Sequence, residues 1–176
     1  QRYVNIWPRP IQQPHPPVWI PGGGSVETWQ WCAKMDYVYC YLSYSGYKRA
    51  KQLMDGYWDR VQAAGKDMSP YRAGFAQTIV VAETDAEAER DYRQHIDYFY
   101  NRCLHVYPGF ADAPGYRTIK TLKANVTSQM TRAAVGDVSS MSWDQLVNQG
   151  YVIAGSPDTV VEKMKEMITG LRVGNI

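Results

Sequence analysis

An α/β fold of parallel βα units, amounting to about half of a closed eight-stranded barrel, is the architecture this sequence predicts. Three observations carry the prediction. Short apolar runs rich in aromatic and β-branched residues alternate with amphipathic segments of helical period, as in a parallel sheet with right-handed crossover helices. Ser25, Ser45, Thr84 and Ser156 stand where a helix would start and can cap it. Three such units and the beginning of another fill 176 residues, whereas a complete barrel takes roughly 250.

The elements follow in order. Gln1 to Pro17 holds five prolines and no helical period, so it is an extended lead-in. Val18 to Ile20 is a short buried strand ended by Gly22-Gly23-Gly24. Ser25 caps a helix reaching about Met35, with Glu27 in its first turn beside the positive end of the dipole. Tyr37 to Leu42, aromatic and alternating, is a strand. Ala50, Leu53, Met54, Tyr57, Val61 and Ala64 recur at three- and four-residue steps and define a helix that Ser45 starts and Gly65 ends.

Arg72 to Glu83 is one buried strand, and Thr84 with Glu87 forms a capping box for a helix reaching Leu104. Ala88, Tyr92, Ile96, Phe99 and Cys103 line its inner face. Residues 105–150 are expected to be a helical insertion, within a single domain spanning 1–176. Turns fall at Pro108-Gly109 and Pro114-Gly115, a helix covers 116–134, and Ser142 caps a short helix from Trp143 to Asn148. Ser156-Pro157-Asp158 opens the last helix, buried through Val160, Val161, Met164, Ile168 and Leu171. Gly174 to Ile176 begins another strand. The chain starts without Met inside an extended segment and stops where that strand begins, so a fragment of a longer protein is expected.

Composition narrows the function. Hydrophobic residues at 45% and charged residues at 20% fit a globular protein, and a net charge of +2 without a basic stripe argues against nucleic acid. No apolar run reaches the roughly 18 residues of a membrane span, and a cytoplasmic protein is expected. Cys32, Cys40 and Cys103 are odd in number and lack C-x-x-C spacing, and are expected to be reduced, semi-buried thiols. His15, His95 and His105 form no metal-binding pair. Tyr37, Tyr39, Tyr41 and Trp19 are expected to pack rather than to line an interior cavity.

The candidate site is the glycine turn. It is neither G-x-G-x-x-G, because Glu27 stands where the third glycine belongs, nor a P-loop, which needs Gly-Lys-Ser/Thr. On its own residues it fits either a structural corner or a phosphate cradle. The cradle has a physical basis: it follows a parallel strand, where α/β barrels hold their sites. The N–H groups of Gly24, Ser25 and Val26 would face the anion at a helix N-terminus, with the hydroxyls of Ser25 and Thr28 beside them.

The stretches Arg9–Pro17 and Val18–Thr28 resemble the middle of the bacterial-luciferase-like flavin monooxygenases. Val80–Ala88 is similar to the late strand-to-helix junction of that barrel, Gly155–Val160 to the start of its last helix, and Leu171–Ile176 to the approach to its eighth strand. The resemblance implies a partial (β/α)8 TIM barrel corresponding to about strands 5–8. It also implies a monooxygenase that uses reduced FMN, supplied by a separate flavin reductase, and O2 on an organic substrate. Gly23, Gly24, Ser25 and Thr28 would be the flavin-phosphate residues. No residue is assigned to catalysis, since strands 1–4 of the family lie outside the match. Alternatives are the F420-dependent branch of the same fold and a folded piece that is inert by itself. An aldolase-like barrel is disfavoured because Lys34, Lys48 and Lys51 fall on helices. A sheet left open at its edges further implies a homo-oligomer.

Overall fold

The computed structural model describes residues 5, 7–42, 45–103, 118–127 and 138–176. Its first three strands are β1 (Trp19–Gly22), β2 (Val38–Leu42) and β3 (Ala73–Ala76), which form a parallel sheet in the order β1-β2-β3. Helices α1 (Val26–Met35) and α2 (Tyr47–Ala63) make the crossovers. A second parallel pair joins β4 (Thr78–Val81) to β5 (Val152–Gly155). Helix α3 (Asp85–Tyr98) runs into a π-helical turn at Phe99–Cys103. Helices α4 (Ile119–Thr127), α5 (Trp143–Asn148) and α6 (Pro157–Leu171) complete the order. At the end of the chain Asn175 bridges Gly74 in parallel, with Phe75 N–H donating to Asn175 O at 3.1 Å. The sheet is therefore an open piece of a parallel barrel. No described helix is long and apolar enough to cross a membrane.

Register sorts the side chains. Ile20 pairs with Tyr39, and Tyr39 with Ala73. Because strand side chains alternate, Tyr39, Tyr41, Ala73 and Phe75 share one face, and all are buried. The Tyr39 and Tyr57 rings meet at 4.9 Å, and the Trp58 indole N–H donates to Leu171 O at 3.0 Å, tying α2 to α6. Trp19 pairs with Val38 and so lies on the opposite face, where it is 50% exposed beside Leu42 at 37%. The expectation that Trp19 packs is thus corrected: half-exposed, it sits one register step out of phase with the buried Tyr39 and Tyr41. Gly74 allows this arrangement, since a Cβ there would meet Cys40 Sγ at 2.5 Å and the Trp19 ring at 3.4 Å.

Several predicted boundaries shift. β1 continues through Pro21, which an edge strand tolerates because the missing N–H has no partner to lose. The single strand expected over 72–83 is divided at Gln77, whose side-chain amide donates to the carbonyls of Thr78, Gly150 and Tyr151. That amide holds the point where the chain leaves β2 and joins β5. β5 itself goes beyond the predicted elements, because four consecutive buried residues show no alternation and follow directly on α5. Gly46, not Ser45, caps α2: its φ is +80°, and a Cβ there would run into the Gln149 and Gly150 backbone.

The Thr84 hydroxyl accepts from Glu87 N–H at 3.2 Å as expected, and Ser142 forms a full capping box with Gln145. Ser156 caps α6, and Pro157 opens it. The buried stripe of α6 runs through Val160, Met167 and Leu171, while Val161 is 46% exposed, one step around the helix. On the third helix Phe99 and Cys103 are likewise exposed, because the wider turn beyond Tyr98 rotates them off the inner face. The turns expected at Pro108-Gly109 and Pro114-Gly115, and the helix over 116, 117 and 128–134, lie outside the described residues.

Candidate functional site

The glycine turn lies between the carboxyl end of β1 and the first turn of α1. Each glycine has its own reason to be there. Gly22 faces the Tyr39 ring, which a Cβ would meet at 2.7 Å. Gly24 has φ +99°, a conformation that disfavours a side chain, and its N–H donates to the Tyr39 hydroxyl at 3.2 Å. Gly23, by contrast, has open space: a Cβ placed on it would meet nothing within 4 Å. The middle of the turn is therefore bare backbone facing outward, as an approaching anion requires.

Ser25 takes the N-cap position with extended backbone, φ −72° and ψ 124°, yet its side chain does not cap the helix. Its hydroxyl donates instead to Glu27 Oε2 at 3.0 Å. The first turn of α1 consequently receives no side-chain cap from Ser25, whose carbonyl accepts from Trp29 N–H at 3.3 Å. Thr28 is half-buried and its hydroxyl has no hydrogen-bond partner among the described residues. Of the three N–H groups expected to face an anion, that of Gly24 is spent on Tyr39. Burial pushes the Tyr39 phenol well above the ordinary tyrosine range, so it remains a neutral hydrogen-bonding group.

Glu27 is the part of the site that the sequence did not prepare for. Its carboxylate accepts from Thr121 Oγ1 at 2.6 Å and from Thr118 Oγ1 at 2.7 Å, both at the start of α4. These hydroxyls, Thr121 foremost and then Thr118, hold its pKa at about 2. The spacing Thr118-x-x-Thr121 places both hydroxyls on one helix face, which is visible in the sequence. Nothing local, however, indicates a partner more than ninety residues away.

A second junction lies at the carboxyl ends of β4 and β5. Asp85, in the first turn of α3, accepts from Ser156 N–H at 2.6 Å and from Thr159 Oγ1 at 3.2 Å. Gly155, with φ +145°, leaves room for that carboxylate. A cavity of about 380 Å³ beside it is lined by Glu89, Trp143, Asp144 and Lys163 among others.

The remaining candidates fall elsewhere. Cys32 is buried, Cys40 half-buried and Cys103 exposed, so the thiols are free as expected but only one is semi-buried. Burial pushes the Cys32 thiol up to about 11, which makes it inert. His15 stacks edge-on against Tyr37 at 6.5 Å, His95 is exposed on α3, and His105 lies outside the described residues. Among the described residues no cluster of His, Cys, Asp or Glu could hold a metal ion.

Luciferase-like monooxygenases, as a sequence family, match residues 2–173. No curated protein matches the chain. Among solved structures, monooxygenase RslO1 from Streptomyces bottropensis superposes with TM-score 0.60 at 16% identity, over 94% of this chain and 41% of its own. The oxygenating constituent of 3,6-diketocamphane monooxygenase from Pseudomonas putida, a type II Baeyer-Villiger enzyme solved with FMN, gives TM-score 0.57 at 21% identity, over 89% of this chain and 40% of its own. The coenzyme F420 dependent tetrahydromethanopterin reductase from Methanopyrus kandleri gives 0.51 at 14%, over 88% and 42%. These identities speak for the fold, and the chain spans about two fifths of the length of the structures it matches.

Proposed function

Because this chain belongs to the luciferase-like monooxygenase family, we propose that it forms the phosphate-holding part of an FMN-dependent monooxygenase. Gly23, Gly24, Ser25 and Thr28 make up its cradle. The observation that carries this is the combination at one turn of open backbone at Gly23, a Thr28 hydroxyl with no partner among the described residues, and a start of α1 that the Ser25 side chain does not cap. Reduced FMN, supplied by a separate reductase, would provide the electrons with which O2 is activated and one oxygen atom is transferred to an organic substrate.

The residues present fit a phosphate with one adjustment. Ser25 N–H and Val26 N–H point from the helix start, where the dipole favours an anion. Thr28 adds a hydroxyl donor. Ser25 adds another once its proton turns from Glu27 to the ligand. Tyr39 holds Gly24 in its left-handed conformation and so keeps the turn open. The half-exposed Trp19 and Leu42 on the open sheet face support association of copies into a homo-oligomer.

F420 is the second cofactor proposed, on the strength of the fold shared with the Methanopyrus kandleri reductase. The test is a fluorescence titration of the purified chain with FMN and, separately, with F420. Ser25→Ala and Thr28→Ala should each weaken binding by about tenfold, the worth of a hydrogen bond to a charged group. Binding that ignores both substitutions would remove the cradle, and binding of neither cofactor would leave a folded piece that is inert by itself.

A further inference from the structure

Glu27 is where the glycine turn and α4 meet. One carboxylate accepts from Ser25 Oγ at 3.0 Å, Thr118 Oγ1 at 2.7 Å and Thr121 Oγ1 at 2.6 Å. Thr118 also accepts from Thr121 N–H at 3.2 Å, so the two threonines form the ordered start of α4. Thr121 is 2% exposed, which leaves its hydroxyl dependent on the Glu27 carboxylate. The Ser25 hydroxyl has a single proton and cannot serve both this carboxylate and a ligand phosphate. Without α4, the Glu27 side chain would be free to swing into solvent. With α4 docked, its charge is pinned within one hydrogen bond of the cradle.

We propose that Glu27 sets anion binding at the turn against docking of α4 on α1. A phosphate that takes the Ser25 hydroxyl meets a fixed like charge, and relief comes when the carboxylate leaves Thr118 and Thr121 and α4 releases. Coupling of this kind is reciprocal: docked α4 lowers affinity for the phosphate group, and the bound phosphate group loosens α4. The inference rests on the cradle proposed above and assigns Glu27 as a positioning residue that regulates it.

The experiment combines FMN titration with amide hydrogen exchange over residues 119–127, in the wild-type chain, Glu27→Gln, and the double variant Thr118→Val, Thr121→Val. Saturating FMN should speed exchange in α4 of the wild type. Glu27→Gln should bind FMN about tenfold more tightly, with α4 exchange already fast and indifferent to FMN. The threonine variant keeps the charge and should still bind several-fold more tightly, because its carboxylate is no longer pinned. Wild-type exchange unmoved by bound FMN, or a threonine variant that binds no better than wild type, would overturn the coupling while leaving the cradle in place. If neither wild type nor Glu27→Gln binds FMN, the cradle fails and the coupling fails with it.

Discussion

The Asp85 carboxylate accepts a 2.6 Å hydrogen bond from the backbone N–H of Ser156, 71 residues further along the chain. Two strand-to-helix junctions are joined by that bond. β4 and β5 run parallel with Val81 opposite Gly155, so their carboxyl ends deliver the first turns of α3 and α6 to the same place. Asp85 then places negative charge at the N-terminus of α6, where the helix dipole and an orphan N–H both favour it. The Ser156 N–H is the main reason its pKa falls below the ordinary aspartate value.

Asp85→Ala should therefore lower the stability of the chain by about 1 kcal/mol, the usual worth of a capping interaction. The urea unfolding midpoint measures it. Asp158, in the first turn of α6 itself and exposed like Asp85 but without its bond to the Ser156 N–H, serves as the control, and Asp158→Ala should move the midpoint far less. Equal shifts in the two variants would mean that Asp85 acts only through general charge.

Neighbouring glycines should separate fold from function. Gly23→Ala adds a methyl group where nothing lies within 4 Å, so the folded chain should accept it with unchanged stability. That methyl group stands on the bare face of the turn and should weaken FMN binding. Gly24→Ala forces a side chain into φ +99° and against Leu53 at 2.7 Å, and should cost about 1–3 kcal/mol. Unfolding curves and FMN titrations on the two variants decide it; a Gly23→Ala chain that binds FMN normally would move the phosphate elsewhere.

Much of this is legible in the sequence, and the rest is hidden for definite reasons. Thr84, Ser142 and Ser156 mark their helix starts because capping chemistry is local, whereas Ser25 marks its own by position alone. β5 escapes a sequence reading because burial on all sides erases the alternation that reveals a strand. The switch at Gln77 escapes it because two of its three carbonyl partners come from beyond residue 149. At the candidate site the glycines and hydroxyls can be read directly. What Glu27 does cannot, since its effect depends on Thr118 and Thr121, which the fold alone brings to it.

Tyr39 supports the turn from beneath. Tyr39→Phe would leave the ring stacked on Tyr57 but strip the partner from a buried Gly24 N–H, which should cost about 1–3 kcal/mol. Because Gly24 is no longer held, FMN binding should weaken as well. Loss of stability without loss of binding would show that the hydroxyl holds the core but not the cradle.

Acid should undo the Glu27 contact before it unfolds the chain. The folded pKa of about 2 lies below the ordinary 4.5, so the stabilisation is fully present above 4.5 and is lost as pH falls toward 2. Amide exchange in α4, corrected for its intrinsic pH dependence, should accelerate across that window. Asp36, Asp67 and Asp85 also have lowered pKa values and titrate in the same range, so the wild-type profile alone does not isolate Glu27. Glu27→Gln removes only this group: its α4 protection should start low and stay flat where the wild type falls. Parallel profiles in the two proteins would mean that the carboxylate contributes nothing to holding α4.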